Sequence, residues 1–135
     1  MRNKFVLLMP LVPIAIMAAP AAFAQNNVGG GTGQRDVAMA QEYNFSLEEW
    51  KKERDVIADL QKQIGQTTEL VKGCELLRTN LTHLKAGDAL LGRMEVAAGE
   101  MKRRKEVESA TKQRKDVQAS IETTESDIER MCSGV

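Results

Sequence analysis

The chain is short of the residues that most often carry chemistry. It holds one histidine, His83, and two cysteines, Cys74 and Cys132, in 135 residues. A Ser-His-Asp or Cys-His arrangement would have to use His83, and no Ser or Cys lies one helical turn from it. Two distant cysteines and a single histidine also lack the paired spacing that preorganises metal ligands. Gly29-Gly30-Gly31 follows no strand pattern and precedes no Lys-Ser/Thr, so it is not a phosphate loop. Met39, Met94, Met101 and Met131 are scattered and read as core filler rather than as a copper-binding cluster. The Asp and Glu residues alternate with Lys and Arg in the manner of a solvated helix face. Acid-base work instead needs two carboxyls in environments that split their pKa values. A non-enzymatic protein without cofactor or metal is the expectation.

Aromatic residues make up 4% of the chain, and only Tyr43, Phe45 and Trp50 follow the first 24 residues. The core must therefore be largely aliphatic, which packs well between helices and forms a deep ligand pocket poorly. Net charge is also missing. Nineteen basic residues balance 19 acidic ones, so composition gives no argument for nucleic acid or for an anionic membrane surface. All three prolines, Pro10, Pro13 and Pro20, fall near the start, which leaves the rest of the chain free of that helix breaker.

That start has its own organisation. Arg2 and Lys4 precede an apolar run from Phe5 to Phe23, which closes on Ala22-Phe23-Ala24 before the polar Gln25-Asn26-Asn27. This is the layout of a secretory signal peptide over residues 1–24, cut after Ala24. The Ala/Pro-rich style of the leader predicts a periplasmic or secreted bacterial protein with no membrane span after cleavage. In an oxidising compartment an even pair of cysteines is expected to be a disulfide, here Cys74–Cys132.

Residues 25–44 open with a Gly-rich stretch almost devoid of apolar side chains and read as a flexible arm. A helix start is expected at Ser46. Ser46-Leu47-Glu48-Glu49 has the form of a capping box, with Phe45 and Trp50 placed as a hydrophobic staple. From there the apolar positions recur with heptad spacing. Trp50, Ile57, Ile64 and Val71 form one set with Leu60. Leu70, Leu77, Leu84 and Leu91 form a second with Cys74 and Leu81. Val107, Ala110, Val117, Ile121, Ile128 and Met131 form a third. No strand alternation competes, so an all-α fold is predicted, with a helical bundle domain over 45–132 and a tail at 133–135.

Two antiparallel arrangements fit these stripes. Lys85-Ala86-Gly87-Asp88 looks like a helix end followed by a new N-cap, which would give a long two-helix coiled-coil hairpin. Breaks at Gly73 and Gly99 instead give three helices, about Ser46–Lys72, Cys74–Ala98 and Glu100–Met131, packed up-down-up. The hairpin places the two cysteines at opposite ends, beyond the Cα separation of about 7 Å that a disulfide tolerates, whereas the three-helix bundle brings them to one pole. Charge favours the bundle too. Residues 102–115 are mostly basic and 116–129 mostly acidic. If the first and third helices run parallel, the basic half meets Glu48, Glu49, Glu53, Asp55 and Asp59, and the acidic half meets Lys62 and Lys72.

With no chemistry in view, the expected function is a structural or interaction protein that docks on, or forms part of, a larger cell-envelope assembly through protein partners. Self-association into a homo-oligomer is compatible with its long charged faces. A cleaved leader joined to a helical bundle also suits an accessory or minor-pilin-type component of a type IV secretion or conjugation apparatus. A periplasmic chaperone or stress adaptor is a further alternative. The candidate partner-binding residues are the aromatic cluster Tyr43, Phe45 and Trp50 and the basic run Lys102, Arg103, Arg104 and Lys105.

Overall fold

The computed structural model describes residues 33–135; the leader expected at 1–24 and the first part of the expected arm lie outside the described residues. The described chain forms three helices and no strand: α1 (Gln34–Gln66), α2 (Leu70–Glu100) and α3 (Arg104–Met131). Each spans roughly 40–50 Å at the standard rise. The connections, Thr67-Thr68-Glu69 and Met101-Lys102-Arg103, are too short for anything but antiparallel neighbours, and the bundle runs up-down-up. α2 is central. It packs along both α1 and α3, whereas α1 and α3 meet through side chains rather than by close backbone approach.

The helix start at Ser46 is not used. α1 begins at Gln34, with Gly33 at its N-cap, because the apolar face continues upstream. Met39, Tyr43, Leu47 and Trp50 follow one another at helical spacing and share one core. Ser46 lies on the same buried side, fully enclosed within the helix, and Phe45 projects outward instead of stapling an end. The first connection also falls earlier than Gly73. Thr67 and Glu69 adopt extended dihedrals, and the Thr67 hydroxyl donates to the Gln63 carbonyl at 2.8 Å, closing α1. Gly73 sits buried inside α2. The turn shifts the helical phase and leaves Val71 outside the core at 70% exposure.

Gly87 is not a turn either. It lies in the middle of α2, where an added Cβ would come 2.6 Å from Cζ3 of Trp50. The missing side chain makes room for the indole. On its other side, Trp50 Nε1 donates to Gln113 Oε1 on α3 at 3.0 Å, and Gln113 Nε2 donates to the Ser109 hydroxyl at 3.1 Å. One side chain thus registers all three helices. Around it a continuous core includes Ile57, Leu84, Leu91, Met94 and Val117.

A second cluster closes the opposite pole, where Leu60, Ile64, Leu76 and Leu77 surround the Cys74–Cys132 disulfide. The cysteine Cα atoms are 5.7 Å apart and 58 residues apart in sequence. The covalent link is available only because the end of α3 returns to the start of α2. The tail is held there as well, since Arg78 Nη2 donates to the Val135 carbonyl oxygen at 2.9 Å.

Two outcomes test this packing. Gly87→Ala gains about 1 kcal/mol of helix propensity but drives a methyl into a rigid indole. The net effect is expected to be destabilising by about 1–2 kcal/mol, seen as a Tm several degrees lower in a circular dichroism melt; a higher Tm would remove the indole from that position. Replacing both Cys74 and Cys132 by Ala is expected to cost roughly 4 kcal/mol on the chain-entropy account of a loop of this length. Chemical denaturation should show the loss as a lower midpoint with helicity in buffer retained.

Candidate interaction surface

The structure separates the sequence candidates. Tyr43 and Trp50 are 3% and 1% exposed and belong to the core, so they cannot form a contact patch. Burial first, and then the nearby Glu106 carboxylate, hold the Tyr43 phenol above its ordinary pKa. Phe45 alone of the three is presented to solvent, at 56% exposure, with the Arg93 guanidinium 5.8 Å from its ring centroid. Such a pairing over an exposed ring contributes roughly 0.5–1 kcal/mol.

Lys102, Arg103, Arg104 and Lys105 are all exposed and form the α2–α3 turn and the opening of α3. The turn closes α2 with two backbone bonds, Arg103 N–H to Ala98 O at 2.9 Å and Lys102 N–H to Gly99 O at 3.0 Å. That pattern puts residue 102 in the left-handed region, at φ 57°, where glycine is normally found. Arg104 and Lys105 then place positive charge at the positive end of the α3 dipole. Two local preferences are broken to hold cations at this pole.

Beside the pole runs an open groove of about 740 Å³. Ala38 and Met39 from α1, and Ala89, Gly92, Val96 and Ala97 from α2, line it, with Glu42, Arg93 and Arg114 as its polar part. The walls are small and aliphatic because α2 carries Ala89, Gly92 and Val96 on an outward stripe. Val96 is left 64% exposed. Ion pairs brace the walls: Arg93 with Glu42 at 2.6 Å across α1 and α2, and Arg114 with Asp88 at 3.0 Å across α3 and α2. The groove offers no nucleophile. It suits the side chains of another helix better than a reacting small molecule. Sequence reading missed it because these residues continue no buried stripe; the available signal was the Ala89-x-x-Gly92-x-x-x-Val96 spacing on a second face of α2.

His83, the lone histidine, is half-buried, with Nδ1 2.6 Å from Glu53 Oε2, and ties α2 to α1. No cluster of metal-ligating side chains occurs among the described residues, and no described helix is long and apolar enough to cross a membrane. No protein-family model, curated protein or solved structure matches this chain.

Lys102→Gly tests the strain at the pole. Relief of the left-handed lysine is expected to stabilise the bundle by about 1 kcal/mol, a Tm rise of roughly 4–8 °C. Scanning calorimetry showing a lower Tm would mean that the turn does not hold residue 102 in that conformation.

Proposed function

We propose that this protein is a non-enzymatic structural or interaction component of the bacterial cell envelope, acting in the periplasm after removal of its leader and docking on a larger assembly through its basic pole. One observation carries the reading: an exposed run of four cations is kept at the α2–α3 turn although residue 102 must adopt a left-handed conformation and α3 must begin with positive charge. Residues retained against local stability are those a binding surface would need. The adjoining aliphatic groove adds apolar area beside the charges, the combination a protein partner with an acidic surface would recognise.

The leader in the sequence and the disulfide both support an oxidising, extracytoplasmic setting. Within that setting, a leader joined to a helical bundle is also the outline of an accessory or minor-pilin-type component of a type IV secretion or conjugation apparatus, which stands as the alternative. A chaperone role finds less support. The exposed large apolar residues are spread along the bundle, with Val37, Phe45 and Val56 on α1, Val71 and Val96 near opposite ends of α2, and Val135 in the tail.

The test is retention of envelope proteins on the immobilised, disulfide-bonded chain, compared with the Lys102→Glu/Lys105→Glu variant. The reading expects a specific acidic partner to be held by the wild type in low salt, with retention falling about tenfold or more in the variant. Equal retention by both chains would dismiss the basic pole as the docking site.

A further inference from the structure

Of the charges on α3, Arg114 pairs with Asp88 and Glu95 of α2 and Arg130 with Asp127 of its own helix, whereas those of the outer face make no ion pair among the described residues. The first half of α3 is mostly basic and its second half mostly acidic, with Glu106 and Glu108 as exceptions in the first and Arg130 in the second. This is the reverse of what the helix macrodipole favours. Three of the acidic residues of α1 expected to meet the basic half are engaged elsewhere. Glu48 and Glu49 pair with Lys51 and Lys52 in their own helix, and Glu53 pairs with His83. Down the solvent side of α3 the stripe reads Arg104, Lys112 and Lys115, then Ala119, Glu122 and Glu129. All six are exposed, and none makes an ion pair among the described residues.

Such a stripe is complementary to itself when turned end over end. Placed antiparallel on a second α3, Arg104 comes level with Glu129 of the other copy and Lys112 with its Glu122, and the two-fold axis repeats both pairs. Lys115 falls beside Ala119 near the axis, where the small side chain permits close approach. Glu108, the acidic exception in the basic half of the stripe, falls opposite Ser126. We propose that the outer face of α3 is a self-docking surface on which a second copy of this chain lies antiparallel. Exposed ion pairs are individually weak, so the dimer forms at high local concentration and low ionic strength. That suits a subunit gathered on an assembly.

Sedimentation velocity of the chain with its disulfide intact tests the proposal. In about 20 mM salt, a concentration-dependent monomer–dimer equilibrium is expected, and in about 500 mM salt the dissociation constant should rise roughly tenfold or more as screening shortens the reach of each pair. Arg104→Glu/Lys112→Glu leaves Lys115 as the stripe's one cation in an otherwise acidic row, and Glu122→Lys/Glu129→Lys leaves Glu108 as its one acid in an otherwise basic row. Each is expected to be monomeric alone, and an equimolar mixture should form a heterodimer. The quadruple variant, whose charge order is reversed and again self-complementary, should dimerise. Far-UV circular dichroism establishes that each variant is folded. A wild-type chain that stays monomeric in low salt, association untouched by these substitutions, or growth beyond a dimer through head-to-tail stacking would each overturn the proposal.

Discussion

The Trp50 indole lies against the bare backbone of Gly87 on one side and donates to Gln113 on the other, and the geometry of the bundle follows from that contact. α2 carries the close packing with each of the other two helices, and Trp50 bridges from α1 past Gly87 of α2 to Gln113 of α3. This arrangement has an electrostatic consequence. Charges on α1 and α3 sit at matching heights without reaching one another, and the interhelical ion pairs form to α2 instead, as in Arg93–Glu42, His83–Glu53 and Arg114–Asp88. The outer face of α3 is left with its charges uncompensated.

The two poles of the molecule are built on different physics. At one, aliphatic side chains from all three helices surround a disulfide that shortens the unfolded chain's freedom by closing a 58-residue separation. At the other, the ends are held by exposed ion pairs such as Arg35–Glu100 and by the backbone bonds of the Met101–Arg103 turn. Exposed ion pairs contribute little and weaken with salt. The open groove, the exposed Phe45 and the basic run all lie toward the second pole or beside it, away from the covalent link. Surfaces that must adjust to a partner are better placed where the scaffold is less constrained.

The three stripes were legible in the sequence because burial of period-3.6 apolar side chains has only helix-on-helix solutions, and Trp50, Ile57, Ile64, Leu77, Leu84, Leu91 and Val117 are all core residues. The disulfide was expected from an even cysteine pair behind an export leader, and the need to bring Cys74 and Cys132 to one pole is what favoured three helices over a hairpin. Ser46 misled because Ser-x-x-Glu caps a helix only where the chain upstream is not already helical. The periodicity from Met39 through Tyr43 to Leu47 outweighs a local signal of about 1 kcal/mol. Gly87 misled for a related reason. A glycine reads as a turn until a neighbour is found that needs the space, and Trp50 lies 37 positions earlier in the chain, beyond the reach of any local pattern.

The candidate site shows the same division. The basic run was visible as four consecutive cations, but its left-handed Lys102 and its position at the start of α3 depend on where the α2–α3 turn falls. The groove has no sequence signature of its own, because Ala38, Met39, Ala89 and Val96 become neighbours only when α1 and α2 are packed. Sequence alone determined the fold class and the inverted charge order of α3, since each rests on composition and spacing along one chain. Tertiary structure decided between two and three helices, which aromatics are buried, which ion pairs form, and which face of α3 stays unpaired, because these depend on where the turns fall and how the three helices pack.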